Sequence, residues 1–142
     1  MTHDTRQRLV ADLVRDEGEV LHAYQDSLGF WTIGVGRLID KRQGGGISLD
    51  ESRMLLARDV SRVLVEMAES FPWAAEMTEN RQRVLANMLF NLGLTKLRGF
   101  KNTLKAMAEG RYQKAADGMR ASKWATQVGA RAERLAKLME QG

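Results

Sequence analysis

The apolar residues near the start of the chain recur at helical spacing. Positions 9, 10, 13 and 14 form one apolar stripe, and this pattern predicts a first helix. The helix should end near Glu17, because Gly18 directly after it is a typical C-terminal stop. Asp4 or Thr5 is the expected N-cap residue.

A second and longer helix is predicted after a glycine-rich connection. Ser48 and Glu51 have the spacing of a capping box, in which each side chain bonds the backbone N–H of the other residue. Apolar residues at helical spacing then continue to about Ser70, which predicts roughly six turns. Pro72 closes this segment.

The remainder of the chain predicts a helical bundle. Helices are expected around residues 80–92, 96–109, 111–124 and 128–139, and Gly93, Gly110 and Gly129 separate them. A single proline in the chain agrees with this helical character.

One short stretch favours strands instead. Residues 24–35 are rich in aromatic and β-branched side chains, and Asp26 to Gly29 reads as a turn between two strands. This is the only hairpin that the pattern predicts. The expected fold class is therefore α+β and predominantly α-helical: one domain, 1–142, with a hairpin lobe at about 18–47 and a helical lobe at 48–142 that also takes in the N-terminal helix.

Composition narrows the function classes. The chain has 142 residues, a formal charge of +4 and no cysteine, so thiol chemistry, disulfides and zinc–thiolate sites are excluded. The two histidines, His3 and His22, do not have metal-ligand spacing, and neither a metal nor a cofactor is expected. No apolar run is long enough to cross a membrane, and no secretory signal is visible. We expect a monomer made in the cytoplasm, without membrane insertion and without a nucleic-acid partner.

Three polar residues around the predicted hairpin are the candidates for chemistry. Taken singly, Glu17 is an ordinary helix-end acid, Asp26 a turn residue that bonds local amides, and Thr32 a common strand residue. Together they place a carboxylate on a helix end, a second on a turn and a hydroxyl on the returning strand. Such a set can converge across a cleft, which suits cleavage of a bond by water.

The sequence around these residues resembles that of phage-type lysozymes, the family of the T-even phage lysozyme. The resemblance lies in Asp16-Glu17-Gly18, in Tyr24-Gln25-Asp26 and in the run from Phe30 to Gly36. Further similar segments lie at residues 87–93, 99–104 and 122–124. The resemblance thus covers nearly the whole chain, and it implies a small hairpin lobe joined by a long helix to a C-terminal helical bundle.

The resemblance implies an endolysin that hydrolyses the β-1,4 bond between N-acetylmuramic acid and N-acetylglucosamine in peptidoglycan. Such cleavage needs one carboxylic acid that gives a proton to the leaving group and one charged carboxylate beside the attacking water. Glu17 is the candidate acid, Asp26 is the candidate carboxylate, and Thr32 would help to hold the water.

The resemblance also suggests residues that bind the glycan strand. They are Leu38 after the hairpin, Phe90 and Asn91 on a cleft helix, and Thr103. Core packing is an equally good explanation for Phe90. Arg131 matches a family arginine near the catalytic glutamate, although a solvated helix face would explain it as well.

Two positions depart from the family pattern. Arg37 stands where the family has a histidine, and Gly118 where it has an asparagine, which weakens one expected sugar contact. Asp59 falls where an acid meets that histidine, so we predict an ion pair between Arg37 and Asp59.

Family behaviour suggests that a separate holin gives the enzyme access from the host cytoplasm to the periplasmic wall. Two alternatives stay open at this point. One is a small basic DNA-binding module, although acids interrupt its basic residues and the segment 17–36 stays unexplained. The other is a wall-binding or assembly subunit of a phage tail or lysis apparatus. The intact trio of Glu17, Asp26 and Thr32 argues against this second alternative.

Overall fold

The computed structural model describes all 142 residues and divides into two compact units. The first comprises Met1–Met54 and the second Leu55–Gly142. The boundary lies inside one long helix, α2, which runs from Leu49 to Ser70. The N-terminal helix belongs to the first unit by this division, and its predicted place in a helical lobe stays a prediction.

The first unit contains helix α1 and a small antiparallel sheet. Helix α1 spans His3–Glu17, and the strands are β1 (Val20–Gln25), β2 (Trp31–Gly34) and β3 (Arg37–Leu38). The strand order is β1-β2-β3, and the connections are short turns. The sheet therefore keeps residues that are close in sequence close in space.

Local interactions explain where these elements begin. The N–H of Glu51 donates to the Ser48 hydroxyl at 3.2 Å, and the N–H of Ser48 donates to the Glu51 carboxylate at 2.7 Å. This reciprocal pair is the predicted capping box, and α2 begins at Leu49, directly after Ser48. In the hairpin, the N–H of Gly29 donates to the Asp26 carbonyl at 3.0 Å, which closes the predicted turn.

The second unit is an all-helical bundle around one apolar core. After a 3-10 turn at Pro72–Glu76 come the helices α3 (Glu79–Leu92), α4 (Leu94–Arg98), α5 (Lys101–Ala108), α6 (Tyr112–Arg120), α7 (Lys123–Val128) and α8 (Ala130–Gln141). The largest fully buried side chains are Val84, Leu85, Met88, Leu89, Leu97, Met107, Met119 and Met139. Unbranched methionines fill much of this core, as suits their flexible side chains.

The fold class is confirmed, and several details of the sequence prediction are wrong. Thr2, not Asp4 or Thr5, caps α1, because its hydroxyl accepts the N–H of Thr5 at 3.2 Å. A third strand, β3, extends the predicted hairpin.

Two helices predicted as continuous are each divided. Residues 96–109 contain most of α4 and the whole of α5, with a break at Gly99 and Phe100. Residues 111–124 contain α6 and the start of α7, with a break at Ala121 and Ser122. The Ser122 hydroxyl accepts the N–H of Ala125 at 3.2 Å, so a new cap begins α7.

Candidate active site

Glu17 is the last residue of α1, and its position follows from how that helix ends. The N–H of Gly18 donates to the Val14 carbonyl at 3.0 Å, and Gly18 takes a positive φ of 75°. Glycine adopts this backbone conformation without the steric cost that other residues meet. The chain therefore leaves the helix directly after Glu17 and enters β1 two residues later.

The carboxyl group of Glu17 lies against the backbone of Gly36, in the turn between β2 and β3. A Cβ atom added to Gly36 would lie only 2.9 Å from Glu17 Oε2 and 3.3 Å from its Cδ. Gly36 also has a positive φ of 63°. Any other residue at position 36 would compete with the Glu17 carboxyl group for the same space.

Asp26 is held rigidly at the start of the hairpin turn. Its Oδ1 accepts the N–H groups of Leu28 and Phe30, each at 2.9 Å. Its own N–H donates to the Phe30 carbonyl at 2.9 Å. Asp26 Oδ2 makes no hydrogen bond within the chain, so one carboxylate oxygen is fixed and the other is free to bind a water molecule or substrate.

Thr32 lies in β2 and is almost fully buried, with 3% of its surface exposed. Its hydroxyl donates to the Phe30 carbonyl at 3.1 Å, the same carbonyl that accepts the N–H of Asp26. The structure therefore brings Asp26 and Thr32 together through one residue, Phe30. Sequence reasoning gave Phe30 no such role, because its contribution comes from backbone atoms that residue identity does not reveal.

Leu38 lies opposite Thr32 in the β2–β3 register. Residues directly opposite each other in an antiparallel pair have their side chains on the same face of the sheet. Leu38 is 47% exposed, so an apolar side chain open to solvent lies next to Thr32, and its predicted role in binding the glycan stays a prediction.

Four further predicted site residues lie in the second unit. Phe90 on α3 is 47% exposed, which excludes core packing as its explanation. The neighbouring Asn91 accepts the indole N–H of Trp124 at 2.7 Å through its Oδ1. Arg131 donates twice to Asn87 Oδ1, at 3.0 and 2.8 Å. Their roles in binding, and that of Arg131 near the catalytic acid, stay predictions.

Thr103, the fourth of these residues, lies on α5 against Gly118 of α6. A Cβ atom at position 118 would lie 2.4 Å from Thr103 Oγ1. Gly118 thus leaves the room that the Thr103 hydroxyl occupies.

The predicted ion pair of Arg37 with Asp59 would join residues of different units, and it stays a prediction. Within its own unit, Asp59 Oδ1 lies 2.9 Å from the Arg62 guanidinium, one turn along α2. Arg37 opens β3.

The loop after β3 is fixed by a carboxylate that takes no part in the proposed chemistry. Asp40 accepts the N–H groups of Arg42 and Gly46, at 2.7 and 2.8 Å, and the Arg42 guanidinium at 2.7 Å. The hydrogen bonds from Arg42 and Gly46 hold the pKa of Asp40 well below its usual range. Asp40 therefore stays charged and orders the segment that leads to α2.

The elements contain neither a membrane-crossing helix nor a metal-binding cluster. No helix has both the length and the apolar character needed to cross a membrane. No three His, Asp or Glu side chains are grouped so that they could hold a metal ion.

Comparison with known proteins identifies the family. The family model described as "Phage lysozyme" matches residues 14–141 of this chain. "Probable T4-type lysozyme 2" of Dictyostelium discoideum is 30% identical over 153 aligned positions, which cover 89% of this chain and 90% of that protein. The "Endolysin" of Salmonella phage P22 is 34% identical over 113 positions, covering 76% of this chain and 75% of that protein.

A third relative is much longer. "Peptidoglycan hydrolase gp36" of Pseudomonas phage phiKMV is 30% identical over 124 positions, which cover 82% of this chain and 13% of that protein. The match to the family model includes Glu17, Asp26 and Thr32 and extends over nearly the whole chain. The chain therefore belongs to the phage lysozyme family and is a glycoside hydrolase of the lysozyme type.

Proposed function

We propose that this enzyme hydrolyses the β-1,4 bond between N-acetylmuramic acid and N-acetylglucosamine in bacterial peptidoglycan. Two of the relatives, an endolysin and a peptidoglycan hydrolase, support this substrate by their names. In the cell, the enzyme acts as a monomeric endolysin. It is made in the host cytoplasm, reaches the periplasmic wall with the help of a holin, and lyses the host at the end of the phage cycle.

Glu17 is the general acid in this proposal. Its carboxyl proton goes to the glycosidic oxygen while the bond from that oxygen to the anomeric carbon breaks. The leaving sugar then departs as an alcohol rather than as an alkoxide. Gly36 leaves room for the Glu17 carboxyl group beside the β2–β3 turn, which supports this assignment.

Asp26 and Thr32 hold the attacking water. The water oxygen bonds to the anomeric carbon, and one water proton passes to Asp26, whose Oδ2 is unengaged within the chain. The charge of Asp26 also stabilises the positive charge that develops on the sugar ring. Water attacks from the face opposite the leaving group, so the anomeric configuration inverts.

One observation supports this proposal: all three residues lie in or beside one small sheet. Glu17 lies beside Gly36 of the β2–β3 turn, and the Phe30 backbone, in the β1–β2 turn, bonds both Asp26 and Thr32. An acid, a carboxylate with a free oxygen and a hydroxyl around one sheet match the requirements of glycosidic hydrolysis by water.

The direct test is the clearing of a suspension of permeabilised Gram-negative cells. Glu17→Gln keeps the shape of the side chain and cannot give a proton, so its lytic rate should fall by about a hundredfold or more. Asp26→Asn should be nearly as damaging. Glu19→Gln is the matched control, because it makes the same change on a carboxylate outside the proposed trio. Retention of more than about a tenth of wild-type activity by Glu17→Gln would overturn the assignment.

A further inference from the structure

The hairpin turn that carries Asp26 has little apolar packing of its own. Ser27 and Leu28, at the tip of the turn, are both exposed to solvent, Leu28 to 68%. A turn without packed side chains is normally one of the more mobile parts of a fold. A fixed carboxylate at Asp26 therefore requires support from outside the turn.

The loop after β3 supplies this support through two hydrogen bonds. Gln43 donates from its side-chain Nε2 to the Leu28 carbonyl at 2.7 Å, and the N–H of Gly44 donates to the Gly29 carbonyl at 3.2 Å. The Gln43 side chain also lies against Gly29, where an added Cβ atom would be 3.1 Å from Nε2 and 3.4 Å from Cγ. The loop and the turn thus meet over two consecutive residues on each side.

The two carbonyl groups that the loop bonds belong to the peptide groups that hold Asp26. The first peptide group joins Leu28 to Gly29 and accepts the bond from Gln43 at its oxygen. Its N–H donates to the Asp26 carbonyl at 3.0 Å. The next peptide group accepts the bond from Gly44, and its N–H donates to Asp26 Oδ1 at 2.9 Å. Because a peptide group is planar and rigid, a bond that restrains its oxygen also restrains its N–H.

The loop is itself ordered, so it can act as a fixed support. The largely buried Asp40 side chain accepts the N–H groups of Arg42 and Gly46, which lie on either side of the two residues that bond the turn. The N–H of Ile39 donates to the Trp31 carbonyl at 2.8 Å. The start of the loop is therefore fixed to β2 of the sheet that also carries Thr32.

We propose that Gln43 is a positioning residue for Asp26 in the hydrolysis of the glycan. This inference rests on the proposed function, which makes Asp26 the carboxylate that holds the attacking water. Gln43 acts through the peptide group between Leu28 and Gly29, which in turn bonds Asp26. Loss of the Gln43 bond lets the turn move, and a misplaced carboxylate slows the chemical step without weakening the binding of the strand.

The test measures the initial rate of reducing-end release from soluble, uncross-linked peptidoglycan strands, which gives kcat and KM separately. Gln43→Met keeps the length of the side chain and removes the donor. Its kcat should fall about fivefold to tenfold, because the Gly44 bond remains and the displacement is smaller than the roughly 1 Å that costs a hundredfold. Its KM should stay within about twofold of wild type. Gln43→Lys, whose ammonium group can donate to the same carbonyl, should recover most of the lost kcat.

Gln7→Met is the matched control. It makes the same substitution and removes one exposed side-chain hydrogen bond, from Gln7 to His3 at 3.0 Å, on α1 rather than beside the turn. Its kcat should stay within about twofold of wild type.

A double-mutant cycle separates positioning from a general loss of structure. If Gln43 acts through the Asp26 carboxylate, Gln43→Met should cost nothing further in kcat once Asp26→Asn is present. A general loss of structure would instead lower the residual rate of Asp26→Asn by the same factor as that of the wild type.

The backbone amides of Leu28 and Phe30 report the same contact without substrate, because both N–H groups bond Asp26 Oδ1. Their NMR signals should shift in Gln43→Met and return towards the wild-type positions in Gln43→Lys.

Several outcomes would overturn the inference. They are a wild-type kcat or unchanged amide signals in Gln43→Met, no recovery in Gln43→Lys, an equal loss in Gln7→Met, and an undiminished effect of Gln43→Met in the Asp26→Asn background. Hydrolysis by the wild type together with any of these results would refute the inference alone. Absence of hydrolysis by the wild type would refute the proposed function, and the inference with it.

Discussion

Replacing Gly36 with alanine should show how the position of the Glu17 carboxyl group affects activity, separately from any effect on the stability of the fold. The new Cβ would lie 2.9 Å from Glu17 Oε2, whereas ordinary contacts begin at 3.4 Å. The carboxyl group therefore has to withdraw by about 0.5 Å. Because misplacing a reacting group by about 1 Å can cost a hundredfold in rate, we expect Gly36→Ala to lose about tenfold in activity.

The stability effect has a different origin and a different size. The clash involves the far end of a flexible side chain, which can move at little cost. The backbone at position 36 has a φ of 63°, and a residue with a Cβ atom pays about 1–2 kcal/mol for that conformation. Gly36→Ala should therefore lower the free energy of unfolding by about this amount.

Gly34→Ala is the matched control. Gly34 has nearly the same backbone conformation, with a φ of 66°, and an added Cβ would meet nothing within 4 Å. The two variants should lose similar amounts of stability, measured by urea unfolding, while only Gly36→Ala loses the tenfold in the initial rate of cell-wall clearing. Equal activity losses in both variants, or full activity in Gly36→Ala, would refute the role of this contact.

Two further predictions concern charged groups. Hydrogen bonds from Arg120 lower the pKa of Glu133 and of Glu140. This network therefore stabilises the fold at pH values above the ordinary carboxyl pKa of 4.5, and the stabilisation is lost as the pH falls through the lowered pKa values of the folded state. Arg120→Gln should thus reduce the urea midpoint at neutral pH, and the difference from wild type should shrink as the pH falls below 4.5; a constant difference would contradict the prediction. If Arg37 and Asp59 pair as predicted, a double-mutant cycle with Arg37→Gln and Asp59→Asn should show a coupling of about 0.5 kcal/mol, and additive effects would exclude the pair.

The features predicted correctly from the sequence depend on neighbouring residues. The Ser48 capping box and the turn that begins at Asp26 involve atoms within four positions of each other. Their residue types alone therefore indicate the structure. The helix end at Gly18 is another case, since one glycine supplies the required backbone conformation.

The features that the sequence did not predict depend on residues elsewhere in the chain, or their signal is weaker than a competing sequence pattern. Strand β3 has only two residues, and it exists because they pair with Thr32 and Ile33. The break before α7 had a signal in Ser122, a good N-cap residue, but the continuing helical periodicity obscured it.

At the candidate site, residue types and spacing indicated Glu17, Asp26 and Thr32. The contact of Glu17 with Gly36 joins residues nineteen positions apart and depends on the conformation of the β2–β3 turn.

The stereochemistry of the first product tests the central claim most directly. In the proposed mechanism Glu17 gives the proton while Asp26 and Thr32 hold the water. The carboxyl groups of Glu17 and Asp26 should then lie about 6.5 to 9.5 Å apart, as in inverting enzymes, and not at the roughly 5 to 5.5 Å of enzymes that form a covalent intermediate. Proton NMR of the product, recorded before mutarotation, should then show the α-anomer released from the β-linked glycan. An initial β-anomer, or a glycosyl ester trapped on Asp26, would contradict this mechanism.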